Sequence, residues 1–481
     1  MMVPLEDGDG ITPERLAAPL TAFLEKAAEA FNYDLTRAAE HLRYATEPES
    51  TLKGSSAGRD LWTSSEGRRL LELLFEDPRL AASFGGNSHH ALELRAIIAS
   101  VIRSWASSGL DARRYSAQHA AAILRSLKQE TWSCWGIGLV YGISVSRRVE
   151  LPGGLAIDPH VEDILRNVGA SGAVAELPLL RIPKGYTCLF LHGSSVSRDE
   201  MGPMAATTAS VWWRVAFERV RTAIWLVSGA HPVVGDTFVT EISPYPVTPF
   251  QHSPAPLQTY PLKPTTVLGE QELEALTELV LRLDAVWDGT MHEADAETHL
   301  QLRLSLSHAD AALQTPDTLL AALLAYIAIE GLLLYADEDV SRLIPRVAWL
   351  VGQDRDDRRA VRSFMDAFGR LRGDVGHGNP PGLDTLSRLA GRRVTSEEVD
   401  VFFSWSGQEA GEVVEERCLE LLRKVLLAFL NLAINVERGG TVSVGWTRKR
   451  MIEGLQEATS RQGGRTAAHQ LEANACSLFA Q

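Results

Sequence analysis

The sequence predicts an α+β protein that is mainly α. An N-terminal helical region precedes a mixed strand and helix domain, and a C-terminal antiparallel helix bundle follows. Three observations carry this. Apolar residues recur at helical spacing through residues 11–45, 60–127 and 268–436. Between Trp132 and Ile242 several short runs rich in Val, Ile and Tyr, with glycine interruptions, read as strands. Pro244–Pro264 (PYPVTPFQHSPAPLQTYPLKP) is rich in proline and poor in helix formers, and reads as a linker or an extended surface segment. The expected divisions are 1–127 (helical), 128–264 (mixed α/β, ending in the proline-rich linker) and 265–438 (helix bundle). From Gly439 to residue 481 polarity rises and periodicity fades, so a flexible tail is expected.

Composition narrows the function. A chain of 481 residues suits about two to four domains. Its net charge of −14 argues against a surface that coats nucleic acid generally. A nucleic-acid substrate has to be met in a local basic pocket, or with the aid of a partner. No run of about 18 apolar residues is present, so no membrane span is expected. The opening MMVPLEDGDG is acidic and lacks the apolar stretch of a signal peptide. Cys134, Cys188, Cys418 and Cys476 are far apart and form no C-x-x-C pair, so neither a zinc site nor a disulfide framework is suggested. A cytoplasmic protein is the expectation.

The first element opens on Thr12-Pro13-Glu14, a cap followed by proline at the first helical position. Leu16, Leu20, Phe23 and Leu24 follow, with Pro19 a candidate kink. Pro48–Arg59 reads as a polar loop. Its Lys53-Gly54-Ser55-Ser56 lacks the order of a phosphate-binding loop. Helices resume at residue 60 with a break at Phe84-Gly85-Gly86-Asn87. The adjacent His89-His90 have no cysteine partner at ligand spacing.

In the middle region, Ile137–Ser146, Leu179–Ile182, Tyr186–His192 and Thr237–Ile242 read as strands. Val149–Leu151 reads as a strand end before the turn Pro152-Gly153-Gly154, and Asp158-Pro159 as a short helix start reaching Val168. Thr208–Val227 is a long helix. Its Arg214 and Arg221 allow a base-stacking platform, but its tryptophans recur with aliphatics and favour a core. His192-Gly193-Ser194-Ser195 lacks the G-x-S-x-G order of a hydrolase nucleophile turn.

The bundle begins with Leu273, Leu276, Leu279, Val280 and Leu283, then His299–Leu313. Pro316-Asp317 opens a helix carrying Leu319, Leu320, Leu323, Leu324, Ile327 and Leu334. Glu330 falls on that same apolar side. A carboxylate there needs a partner, Arg372 or Arg346, unless it lies at the edge and reaches water. A helix from Asp339 to Leu350 is kinked or restarted by Pro345. The next runs from Asp356 into Phe364–Asn379 (FMDAFGRLRGDVGHGN) and is stopped by Pro380-Pro381. Val399–Trp405 is a short apolar piece of open type, and Val413–Val436 is the last long helix.

The end of FMDAFGRLRGDVGHGN holds the chemistry. Arg372 offers a fork of donors suited to phosphate oxygens, and His377 offers an imidazole suited to proton transfer. On an ideal helix a step of five residues turns about 500°, leaving the two side chains about 140° apart. They converge where the helix ends or distorts between them, or where a second chain completes the site. Asp374 lies between them and is placed to orient either. The alternative is a plain helix end with a cation near its carbonyls.

The strings HLQLRLSLSHADAAL, TLLAALLAYIAIEGLLLY, IPRVAWLVG and FGRLRGDVGHGN, in that order, resemble the Apea-like HEPN family. The likeness covers about a third of the chain by its spacing of motifs. GISVSRRVELPGGLAIDPHVEDILRNV is more loosely similar to the regions that accompany the family. The resemblance implies a HEPN-type endoribonuclease that needs no metal and no cofactor and serves anti-phage defence. It implies Arg372 and His377 as catalytic residues. Glu330, Arg346, Asp374 and Gly378 support them. It further implies an RNA substrate, a homodimer formed through the bundle, and a phage-derived trigger. The second reading is a non-catalytic dimerisation module that senses a nucleotide or other ligand.

Overall fold

The computed structural model describes residues 10–35, 38, 60–84, 88–129, 131–160, 187–197, 205–241, 251–253, 265–288, 290–395, 408–437 and 440–459. The protein is mainly helical, with a small sheet. The chain divides into two compact units. The first is Met1–Phe217 with Val234–Gln258, and the second is Glu218–Val233 with Thr259–Gln481.

In the first unit, α1 (Pro13–Ala30) starts where its signals place it: the Thr12 hydroxyl oxygen accepts from the Arg15 N–H at 3.4 Å. Pro19 lies inside α1 without ending it. Leu16, Leu20, Phe23, Leu24 and Ala27 are buried. Then come α2 (Ser65–Glu76), α3 (Pro78–Phe84), α4 (Ser88–Ser108) and α5 (Ala112–Lys128). α1 packs against α5 and α2. His89-His90 fall in the first turn of α4. Asp77 is buried between α2 and α3 and takes 2.7 Å contact from the Lys128 ammonium. Burial pushes its carboxyl up, but the Lys128 hydrogen bond and charge and the Ile11 and Leu80 N–H groups hold it below its ordinary range.

The strands of this unit are β1 (Thr131–Tyr141), β2 (Ile143–Ser144), β3 (Val149–Leu151), β4 (Leu155–Asp158) and β5 (Cys188–Ser197). After α6 (Ala205–Ser228) come β6 (Val233–Glu241) and β7 (Gln251–Ser253). The sheet order is β3-β4-β5-β1-β6-β7. β1 and β5 run antiparallel from Thr131 opposite Ser197 to Val140 opposite Cys188. Gly136 in β1 is required by a close approach. A Cβ there would lie inside the Trp213 indole of α6.

Two expectations for this region change. Gln251–Ser253, inside the proline-rich stretch, pairs with β6 as a strand, because backbone pairing to the sheet edge satisfies its polar groups. Asp158 closes β4, and its carboxylate accepts from the His160 N–H at 2.7 Å. The helix expected after it falls outside the described residues. So do Leu179–Ile182, Val399–Trp405 and Pro48–Arg59.

The second unit holds β8 (Thr266–Val267), α7 (Glu270–Trp287), α8 (Thr290–Ala294), α9 (Ala296–Gln314), α10 (Thr318–Leu333) and α11 (Leu343–Val351). It continues with α12 (Arg355–Gly376), α13 (Leu383–Ala390), α14 (Gln408–Ala433), β9 (Ile434–Val436), β10 (Val442–Val444) and α15 (Arg448–Thr459). α10 is its centre. Ala321, Ala322, Ala325, Tyr326, Ala328, Ile329, Leu332 and Leu333 are all buried, the pattern of a helix enclosed on most sides. It packs against α9, α14 and α12. Pro345 sits in the first turn of α11, where its missing N–H leaves no gap, so the chain restarts rather than kinks. Trp225 is buried and Arg221 is paired with Asp310, so the end of α6 in this unit presents core and ion pair, not a stacking platform.

Within the stretch expected to be a flexible tail, residues 440–459 form regular structure. β10 pairs with β9, and α15 buries Met451, Ile452 and Leu455. Arg448, only 4% exposed, donates to the carbonyls of Gly331, Leu332 and Leu334 at the end of α10. Those carbonyls have no helical partners, so a buried guanidinium satisfies them and is satisfied in turn.

Candidate functional site at the end of α12

α12 begins on Asp354, whose carboxylate accepts from the N–H groups of Asp356 and Asp357 at 2.9 and 2.8 Å. Met365, Ala367, Phe368 and Leu371 are buried on its inner face. Helical backbone continues without a break through Arg372 to Gly376, and His377 is the cap residue. The Gly378 N–H donates to the Val375 carbonyl at 3.0 Å, and the Asn379 N–H to the Asp374 carbonyl at 2.8 Å. Gly378 takes φ +73, the left-handed conformation this ending needs and glycine adopts freely. Gly378 therefore has a complete structural role in stopping the helix.

Arg372 and Glu330 meet. The Arg372 Nη2 lies 3.6 Å from the Glu330 Oε2, an ion pair between α12 and α10 that is too long for a hydrogen bond. The Arg372 side chain is 43% exposed and that of Glu330 25%. Arg372 makes no hydrogen bond to any described residue, so its donors remain available to an anion.

Beneath the pair lies a residue the sequence reading did not single out. Tyr326 stands one turn before Glu330 on α10, is fully buried, and packs edge-on against Phe368 of α12 at 5.1 Å between ring centres. Its hydroxyl has no hydrogen-bond partner among the described residues. A Cβ on Gly369 would stand 3.3 Å from that hydroxyl. Burial, and then the Glu330 charge, push the phenol up to about 12, while Arg372 opposes them. The spacing of Tyr326 to Glu330, four residues on one helix, was the available signal.

The other expected partners separate. Arg346 is 1% exposed and is not with Glu330. Its guanidinium takes Glu338 in a two-pronged pair at 2.6 Å each and donates to the Leu333 carbonyl at 2.6 Å. The placement of Arg346 in support of Arg372 is corrected to a clamp between the end of α10 and α11. Its geometry is decided by Glu338 in the intervening turn, which offers two oxygens where Glu330 offers none within reach. Asp374 is half-buried; its backbone carbonyl serves the helix ending, and its carboxylate makes no hydrogen bond or ion pair to a described residue. His377 is exposed at the tip.

Because the helix is regular between Arg372 and Gly376, the divergence of about 140° expected of the ideal helix is retained within one chain. The ground around the tip is open: a Cβ on Gly373, Gly376 or Gly378 would meet nothing within 4 Å. Among the described residues no group of three or more His, Cys, Asp or Glu is placed to hold a metal ion. No helix among them is long and apolar enough to cross a membrane. Comparison with family models, curated proteins and solved structures returns no match to this chain.

Proposed function

We propose that this chain is a HEPN-type, metal-independent endoribonuclease of anti-phage defence, acting through Arg372 and His377 of paired copies. The observation that carries the reading is Arg372. It is a half-exposed guanidinium, aimed by one loose ion pair and free of hydrogen bonds to described residues, five positions before an exposed histidine on open ground.

In this reading the RNA 2′-oxygen attacks the adjacent phosphorus as a base removes its proton. The bond from phosphorus to the 5′-oxygen breaks, and an acid protonates the leaving oxygen. The products are a 2′,3′-cyclic phosphate and a 5′-hydroxyl. His377 serves as acid or base, and Arg372 holds the phosphate as it gains negative charge. Glu330 limits the positions open to Arg372. The divergence within one chain is resolved when the histidine of one copy faces the arginine of another.

The test is RNA cleavage in EDTA by wild-type protein, Arg372→Ala and His377→Ala, with end-group analysis. Both variants are expected to fold and to lose at least about 100-fold in rate, the scale of one general acid or base. Unchanged cleavage in both overturns the reading. The same divergence favours a second reading, a non-catalytic dimerisation and ligand-sensing module. It predicts that neither wild type nor variant cleaves RNA.

A further inference from the structure

The solvent face of α12 carries more than its tip. Arg355, Arg359, Arg362, Asp366, Arg370, Gly373 and His377 follow one another at steps of 4, 3, 4, 4, 3 and 4 residues. That spacing lines them along one side of a helix, over about 33 Å at its ideal rise. Arg355, Arg359, Arg362 and Arg370 are all exposed. The inner face, with Met365, Phe368 and Leu371, lies opposite.

The arrangement opposes what would stabilise the helix. Cations favour a helix C-terminus, yet Arg355 and Arg359 stand at the N-terminal end of α12, among Asp354, Asp356 and Asp357, and its last turn holds no basic residue. Arg355 with Arg359, and Arg359 with Arg362, are like charges at spacings that repel. Counter-charge is thin. Arg359 has Asp356 at 3.4 Å with both side chains more than 70% exposed. Asp366 is shared between Arg370 at 3.2 Å and Arg388 of α13 at 3.1 Å. Arg355 and Arg362 pair with no described residue. From Asp354, the cap of α12, to Arg393 there are nine arginines against six aspartates, a net +3 in a chain of net −14.

We infer that this arginine stripe is a track for the phosphate backbone of single-stranded RNA, leading the strand along α12 to His377. It takes its ligand from the ribonuclease reading above and adds a contact surface separate from Arg372. A line of guanidiniums on a straight helix fits successive phosphates, and guanidinium is the side chain best shaped to fork onto them. Such binding is governed by release of counterions, so its salt dependence counts the phosphates held.

The experiment is fluorescence anisotropy of a labelled single-stranded oligouridylate with the full chain carrying His377→Ala, so that the probe stays intact. The double charge reversal Arg359→Glu, Arg362→Glu is compared with Arg68→Glu, Arg69→Glu, a pair exposed on α2. The stripe variant is expected to bind at least about 10-fold more weakly at moderate salt. Its log–log salt slope falls by about 1.4, two phosphates at roughly 0.7 each. Its melting temperature is expected to be little changed, since exposed charge pairs contribute little to stability. The α2 variant is expected to bind like its parent. Equal affinity and slope in the stripe variant, equal losses in both variants, or no binding by the parent overturns the inference. Histidine-dependent cleavage with unaltered stripe binding removes this proposal alone. Stripe-dependent binding by a wild type that does not cleave removes the ribonuclease reading alone.

Discussion

At the scale of single residues, two of the glycines around the motif do different things. Gly378 has φ +73 and closes the helix, so its glycine is demanded by the backbone. Gly373 is different: it lies within α12 in helical conformation, and a Cβ there would touch nothing within 4 Å. Glycine inside a helix is less stable than alanine by roughly 0.5–1 kcal/mol. Its presence at an uncrowded position of one chain is explained when something outside the chain comes close. Gly373→Ala is therefore expected to stabilise the bundle by about 0.5–1 kcal/mol in urea titration and to reduce RNA cleavage. Gly378→Ala is expected to move the titration the other way, by about 1–2 kcal/mol, from forcing alanine left-handed. Higher stability with undiminished cleavage in Gly373→Ala would place the approaching strand or second copy elsewhere.

At the scale of elements, the turn between α10 and α11 is held by one buried pair. Arg346 is 2% exposed and Glu338 9% at the side chain, joined by two contacts of 2.6 Å. The Arg346 hydrogen bonds hold the Glu338 carboxyl down to about 2, against the opposing effect of burial, with the Tyr335 N–H and Arg342 assisting. The folded value lies below the ordinary 4.5, so the carboxylate contributes stability above about pH 4.5. That contribution is lost as pH falls from there toward about 2. Glu338→Gln is expected to lower stability by about 3–5 kcal/mol at pH 7, since Arg346 is left buried without its counter-charge. The difference from wild type should shrink in urea titrations taken below pH 4. A constant difference across that range would mean that Glu338 acts by packing rather than by charge. α12 was legible in the sequence from Asp356 to its stop, because its apolar face, Gly378 and Pro380 are all local signals, while its cap, Asp354, was not singled out. The partner of Glu330 was legible as one of two arginines. Glu338 was not, since Asp337, Glu338 and Asp339 stand together in a turn and only the packed bundle decides which is buried. α15 was missed for a related reason. Its twelve residues carry a short apolar pattern, and Arg448 reads as a surface cation until it meets the open carbonyls of α10.

At the scale of the whole molecule, the question is whether one chain contains a complete site. α12 stays helical from Arg372 to Gly376, which keeps the arginine and the histidine on different sides of the same helix. A site built from the arginine of one copy and the histidine of another needs a two-fold pair, and a two-fold pair contains two such sites. This arrangement has a consequence that a self-contained site lacks. Arg372→Ala and His377→Ala each remove one component from both sites of their own pairs, so each is inactive alone. In a mixed pair, one site receives both defects and the other receives neither. Unfolding and refolding the two inactive variants together, with random pairing, should therefore restore about a quarter of wild-type cleavage per site. The restored activity should reach its maximum at equal proportions and depend on subunit exchange. Co-expression of two differently tagged variants and isolation of the doubly tagged form should bring it to about half. Inactive mixtures from wild type that itself cleaves would mean that each chain completes its own site. Arg372 and His377 would then have to converge by a break in α12 between them.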